Sequence, residues 1–177
     1  FLADHTPDVI KANHLPAPAR KALKDFGYFR RRYFGRISTP WQEQAAYKMV
    51  ELLESPEKEF VVLNVCPGSG KSTLFTHDIP AWVQCRNRAT RLMIGSRTET
   101  QAKMYTARLR RSYERRTPAE ADPILANMGL SVDAEATLVH EFGRFKPLRS
   151  DLWRIEEFVI AQQGDNAVED KEPSVAA

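Results

Sequence analysis

Apolar residues recur along this chain in two rhythms, and the switches between them outline the elements. Ala46, Met49, Val50 and Leu53 return at helical spacing in a segment that opens on Thr39-Pro40-Trp41-Gln42. A threonine N-cap, a proline at the first helical position and a glutamine three residues after the cap make a capping box, so a helix is predicted from Pro40, ended by Ser55-Pro56-Glu57. The run Phe60 to Val65, short, β-branched and apolar but for Asn64, reads as a strand. A loop from Cys66 to Gly70 leads into a helix reaching about Cys85. Arg91-Leu92-Met93-Ile94-Gly95 reads as a second buried strand. From Thr98, with Gln101 as another capping-box partner, a helix is predicted to about Arg116 with Ala102, Tyr105, Leu109 and Tyr113 on its apolar face.

The flanks are less regular. Residues 1 to 19, with Pro7, Pro16 and Pro18, read as an extended arm, followed by a basic helix over roughly Ala19 to Tyr33. Pro118, Pro123 and Pro147 punctuate the stretch 117–147, which holds one helix at Pro123 to Met128. Beyond it, Leu148, Leu152, Ile155 and Val159 fit a helix, whereas Trp153, Ile155, Phe158 and Ile160 fit a strand with one slip, and periodicity leaves both open. Strand, loop, helix, strand and helix in that order predict parallel pairing with right-handed crossovers, hence an α/β sandwich. Ligands of such sheets bind beyond the carboxyl ends of the strands, where the 66–70 loop and the Ser96-Arg97 turn are expected.

The loop carries the most specific chemistry. Cys66-Pro67-Gly68-Ser69-Gly70-Lys71-Ser72-Thr73, following a strand and opening a helix, has the order of parts of a phosphate-binding P-loop. Gly68 and Gly70 can turn successive N–H groups inward to form an anion nest at a helix start, where the dipole also favours phosphate. Lys71 is expected to reach the β- and γ-phosphates, the Ser72 hydroxyl to ligate Mg²⁺, and Thr73 to contact the α-phosphate. The full pattern has Gly four residues before Gly70, where this chain has Val65. The bland alternative is a glycine-rich structural turn beside a solvated lysine.

At 177 residues, with 42% hydrophobic and 28% charged positions, the chain has the size and make-up of one globular domain. No apolar run approaches the ~20 residues needed to cross a bilayer, and a cytoplasmic location is expected. Cys66 and Cys85 match neither a disulfide framework nor a metal spacing, and His5, His14, His77 and His140 show no ligand spacing. A net charge of +3 hides an asymmetry: residues 20–36 carry seven cations against Asp25, residues 86–116 carry ten against Glu99 and Glu114, and the balance turns acidic from Asp151. Arg108, Arg111 and Arg115 fall at i, i+3 and i+7, off the apolar face of their helix. With Arg110 and Arg116 nearby they form the candidate DNA-binding set, because phosphate contacts need only cations in a row. A solvated helix face is the competing account.

With the loop, Trp41-Gln42 upstream and Ile94-Gly95-Ser96-Arg97 downstream, residues 38 to 115 resemble the start of the ATPase domain of a tailed-phage terminase large subunit. The family commonly has an aromatic-Gln pair ahead of the P-loop strand and a Pro-Gly-x-Gly-Lys-[Ser/Thr] loop lacking the first glycine. Trp153 to Val175 resembles a later part of these proteins, which favours a strand near Phe158. The resemblance implies a P-loop NTPase-type three-layer sandwich with a mainly parallel sheet, divided into an N-terminal arm and basic helix (1–37) and a partial ATPase domain (38–177). It implies ATP and Mg²⁺, with Trp41, Gln42, Pro67, Gly68, Ser69, Gly70, Lys71, Ser72 and Thr73 at the nucleotide and Gln42 on the adenine edge.

It also implies a motor that moves double-stranded DNA into a capsid in the cytoplasm of an infected bacterium, working as a homo-oligomeric ring with a portal protein and a small terminase subunit. Lys71 would be catalytic, and Arg97, Arg144 and Arg149 are the candidates for the arginine that neutralises the γ-phosphate. One departure matters: neither Leu130-Ser131-Val132-Asp133 nor Phe158-Val159-Ile160-Ala161 supplies an apolar strand ending in paired acids. The chain is therefore expected to be a truncated ATPase domain, able to bind nucleotide and poor at hydrolysing it. A helicase-like ATPase and a non-catalytic nucleic-acid or assembly module are the alternatives.

Overall fold

The computed structural model describes residues 15–55, 61–147, 153–161 and 174–177. The expected extended arm lies largely outside these residues, and the expected basic helix is two helices. α1 (Ala17–Lys24) ends at Asp25, whose carboxylate accepts the Tyr28 N–H at 2.8 Å and so caps α2 (Phe26–Phe34). Asp25 interrupts what periodicity joins, because it serves both helix ends. Gly35, at φ 64°, terminates α2, and its carbonyl accepts from Val132 N (2.8 Å) and Ser131 Oγ (3.1 Å). A Cβ there would lie 2.0 Å from the Val132 carbonyl oxygen, so the close approach needs glycine.

α3 (Pro40–Leu53) begins where the capping signal places it, with Thr39 N donating to Gln42 Oε1 at 3.2 Å. The loop opens into α4 (Lys71–Thr73), which continues through a π-helical turn, Leu74–Asp78, into α5 (Ile79–Arg86). Pro80 accounts for the widened turn: it has no N–H, and its ring would press on the carbonyl four residues back in a regular helix. α6 (Glu99–Glu114) carries a Thr98 cap on Gln101 N and buries Ala102, Leu109 and Tyr113 as the apolar face predicts. α7 (Pro123–Asn127) is capped by Asp122, and α8 (Leu138–Phe142) by Thr137.

The sheet is small and mixed. β1 (Leu92–Met93) pairs in parallel with β3 (Val175–Ala176), and β2 (Glu157–Phe158) pairs antiparallel with β3, in the order β1-β3-β2. Near Phe158 the strand reading holds, with Trp153 bridging to Phe158. Among the described residues the first expected strand does not form: Phe60 lies outside them, Val61 to Val65 has no ladder partner within them, and Val62 and Leu63 are 73% and 45% exposed. An apolar run becomes a strand only where a neighbouring backbone offers the complementary ladder.

The protein is thus α/β, rich in helix with a three-stranded mixed sheet. One hydrophobic cluster runs from Ala19, Phe26 and Phe29 through Leu74, Ile79 and Trp82 to Leu109, Tyr113, Phe145 and Phe158. The Phe26 and Trp82 rings pack with centroids 5.1 Å apart, and the Trp82 indole N–H donates to the Ala22 carbonyl, so the N-terminal helices lie against α5. Arg88 is buried over the Phe145 ring and donates to the carbonyls of Phe142, Arg144 and Ala161, tying the chain after α8 to the segment after β2. No helix of the described residues is long and apolar enough to cross a membrane.

Candidate functional site

Gly68 and Gly70 both sit at φ 79°, the left-handed region that the loop reading requires, and Gly70 leads directly into α4. Ser69 Oγ donates back to the Cys66 carbonyl at 2.8 Å, closing the bend. Among the described residues, the backbone N–H groups of Gly68 to Thr73 have no hydrogen-bond acceptor and Lys71 has no ion-pair partner. A curled run of unclaimed N–H donors beside a free ammonium group is an arrangement suited to an anion.

One side chain fixes the loop from outside. Gln42, buried on α3, donates from Nε2 to the Ser69 carbonyl (3.2 Å), while its Oε1 accepts from Arg30 Nη1 (2.7 Å) and Thr39 N (3.2 Å). Arg30 continues the chain of contacts to Ser38 Oγ (3.0 Å) and to the buried Asp78 carboxylate (2.8 Å). Asp78 is also paired with Arg36 and with His77 Nδ1 (2.7 Å), and His77 Nε2 meets Ser112 Oγ of α6 at 2.7 Å. His77 Nδ1 lies 2.7 Å from the Asp78 carboxylate and 3.2 Å from Arg36 Nη1; the shorter carboxylate contact favours a proton on Nδ1, with Nε2 accepting from Ser112. Burial lowers the His77 pKa, against the pull of Asp78, and keeps the ring neutral. For Asp78 burial acts to raise the pKa, but Arg36, His77 and Arg30 outweigh it and hold the carboxyl at about 2. The π-helical turn sets Asp78 and His77 facing α2 and α6 rather than solvent.

Two clefts flank this network. The larger, about 520 Å³, is lined by Gly68, Ser69, Gly70 and Thr73 on one side and by Trp41, Gln42 and Arg36 beside them, with Leu125, Glu120 and Asp122 opposite. Asp122 is committed to capping α7 through Ile124 N and Leu125 N, whereas Glu120 has no hydrogen bond among the described residues. The second cleft, about 390 Å³, lies between Phe34 and α6 and is lined by Arg36, Arg108, Arg111 and Arg115 with His77 and Met104. Arg108 borders both and donates to Thr73 Oγ1 at 3.1 Å. Burial first, then the Arg36 charge, lowers its pKa from the ordinary arginine value.

The expected site residues divide accordingly. Trp41, Gln42, Gly68, Ser69, Gly70 and Thr73 gather at one cleft; Lys71 and Ser72 continue the loop, and Pro67 sits at its entrance. Arg108, Arg111 and Arg115 share a face, as their spacing predicts, but Arg110 turns away, donating to the Trp153 carbonyl (3.1 Å) beside Glu114, and Arg116 lines neither cleft. Of the three candidates for a γ-phosphate arginine, Arg97 is exposed in the turn before α6, Arg144 donates to the Pro147 carbonyl, and neither borders the loop cleft; Arg149 lies outside the described residues.

A Mg²⁺ ion would find one protein oxygen at Ser72, and no cluster of three acidic, His or Cys ligands exists among the described residues. This donor set suits an ion held mainly by phosphate and water. Sequence reasoning missed Arg30, Arg36, His77 and Asp78. The available signal was Asp78 itself, a carboxylate within the mostly apolar stretch Leu74 to Val83, since a buried acid demands cationic partners.

In comparisons with known proteins, no family model, no curated protein and no solved structure matches this chain.

Proposed function

We propose that the chain binds a nucleoside triphosphate at the 66–73 loop, as the ATP-binding part of a DNA-translocating motor of terminase type. The observation that carries this is the loop itself: two left-handed glycines and a run of adjacent N–H groups without acceptors among the described residues, with Gly68, Ser69, Gly70 and Thr73 lining an open cleft and Lys71 in the same bend. In this reading the N–H nest and Lys71 grip the β- and γ-phosphates, Ser72 contributes an oxygen to Mg²⁺, and the base lies toward Trp41. Gln42 holds the Ser69 peptide, so it acts on nucleotide through the loop it positions. The basic α6 face supplies sequence-independent contacts to duplex DNA. Ring assembly with a portal protein and a small terminase subunit in the host cytoplasm belongs to the same proposal and rests on the resemblance.

The test is calorimetric binding of Mg-ATP to wild type and Lys71→Ala. Wild type binds and the variant, lacking the ammonium facing the phosphates, loses about ten- to a hundredfold, the scale of a charge-assisted phosphate interaction. Equal and negligible binding in both overturns the proposal. One observation favours a second reading, a non-catalytic nucleic-acid module: among the described residues, the segment before the loop has no sheet partner and no strand ends in paired acids. That reading predicts duplex binding without nucleotide binding. A helicase-like ATPase shares the loop chemistry and differs in preferring single strands.

A further inference from the structure

The cleft between Phe34 and α6 concentrates positive charge. Four guanidinium groups, those of Arg36, Arg108, Arg111 and Arg115, line it, and among the described residues no carboxylate does; Glu120 and Asp122 line the adjoining loop cleft instead. Asp78, which pairs with Arg36, is already shared among Arg30, Arg36 and His77. Arg111 and Arg115 have no ion-pair partner among the described residues. Clustered like charges repel, and the repulsion falls when an anion enters between them.

We propose that this cleft is a second phosphate-binding site, built by Arg111 together with Arg36, Arg108 and Arg115 and adjoining the loop cleft, which Arg36, Arg108 and Arg115 also line. Guanidinium forks match phosphate oxygens in pairs, while Phe34 and Met104 supply apolar edges for the attached sugar. From Arg108 to Arg115 the chain rises about 10 Å, so the guanidinium groups are spread along α6 and its C-cap rather than gathered at one point. Met104, Arg111 and Arg115 are exposed, so a chain can run past the cleft, and a phosphodiester backbone is the source this shape favours over a free phosphate. Arg36, Arg108 and Arg115 line both clefts, and Arg108 also donates to Thr73 Oγ1 at the start of α4. A phosphate drawing Arg108 toward the cleft competes with that bond, which makes Arg108 the contact through which one site senses the other. The choice of a nucleic-acid backbone rests on the proposed α6 contacts to duplex DNA and this last step on the nucleotide reading, whereas the anion site itself rests on neither.

The test uses the full chain with Arg111→Glu, which alters a residue lining the arginine cleft alone, and Arg116→Glu, the same charge change beyond the helix end. A labelled mixed-sequence duplex is titrated by anisotropy over a range of salt, and pyrophosphate is titrated in the Lys71→Ala background so that the loop does not compete. Arg111→Glu is expected to weaken duplex binding at least tenfold and to flatten the salt slope by about one unit for each phosphate the protein no longer neutralises. Arg116→Glu is expected to change it less than threefold.

Parallel loss of pyrophosphate binding in Arg111→Glu assigns the site to any phosphate group, whereas loss confined to the duplex assigns it to the backbone. Arg111→Lys, with wild-type melting, restores most of the affinity and separates an effect on binding from an effect on folding. Unchanged binding of both ligands by Arg111→Glu, equal losses in the two charge reversals, or displacement of the duplex by poly-glutamate at equal charge overturns the proposal. Absent Mg-ATP binding with an intact Arg111 effect sinks the nucleotide reading and leaves the cleft standing.

Discussion

Gln42→Met distinguishes between reading the base and holding the loop. Methionine keeps the volume of glutamine and removes its amide donor and acceptor, so packing is nearly conserved while three hydrogen bonds go. The bond to the Ser69 carbonyl, neutral and 3.2 Å long, is worth about 1 kcal/mol, so the loop's phosphate affinity should fall about fivefold. The bond from Arg30, charged and 2.7 Å long, is worth about 1.5–3 kcal/mol of stability, a drop of roughly 3–12 °C in Tm for a chain this long. The assay is calorimetric titration with Mg-ATP and with Mg-tripolyphosphate, which has the phosphates and no base. If Gln42 acts through the loop, both affinities fall by the same factor. A loss confined to Mg-ATP, with tripolyphosphate unchanged, refutes the tether and makes Gln42 a contact to adenine.

The buried carboxylate gives two further expectations. Asp78→Asn leaves Arg30 and Arg36 facing a neutral group in the interior, at a cost of about 3–5 kcal/mol, read as a fall of at least about 1 M in the urea midpoint; a shift under about 0.3 M refutes the pairing. Because Asp78 is held at about 2, below the ordinary aspartate value near 4, its pairing contributes fully above pH ~4 and is lost as pH falls toward 2. Wild type should therefore lose roughly 2 kcal/mol across that window that Asp78→Asn does not lose. Equal acid sensitivity of the two proteins counts against the assignment. Gly35→Ala meets both a positive φ and the Val132 carbonyl oxygen, so at least about 2 kcal/mol of stability should go, and a Tm within about 1 °C of wild type refutes the close approach.

Local chemistry was legible in the sequence where a few adjacent residues decide the outcome. Thr39-Pro40 and Thr98 start helices because a side-chain oxygen or a proline acts within one turn. Gly68 and Gly70 take left-handed angles because little else can. The spacing of Arg108, Arg111 and Arg115 placed them on one face because helical geometry leaves no alternative. Pairing at a distance was not legible. Leu92 finds its partner at Val175, and nothing in either two-residue strand announces the other. Val61 to Val65 has the composition of a strand, but composition does not create a neighbour. α8 escaped because five residues are too few for a period to show, although burial of Leu138 and Phe142 fixes it. Arg30 and Arg36 read as part of a basic block without a partner of their own, and only the fold brings Asp78 between them.

The loop is held unequally on its two sides, and this sets where nucleotide should act. Downstream, Leu74, Ile79 and Trp82 are buried in the core, so the start of α4 is fixed by packing. Upstream, residues 61–66 donate no backbone hydrogen bond among the described residues, and Val62 and Leu63 face solvent. Ordering each residue costs about 1–2 kcal/mol, and here only Val61 and Val65 are partly buried and no ladder among the described residues offsets it. The contacts from Gln42 to Ser69 and from Ser69 to Cys66 are what join the two sides. A phosphate seated on the N–H groups of 68–73 would draw the upstream backbone into line with the fixed helix. The amides of 61–66 should then exchange within seconds in the free protein and slow at least about tenfold at saturating Mg-ATP, while those of α5 stay slow in both states. Protection of 61–66 already complete without nucleotide would mean that the segment has its own partner backbone, and that the loop is held equally on both sides after all.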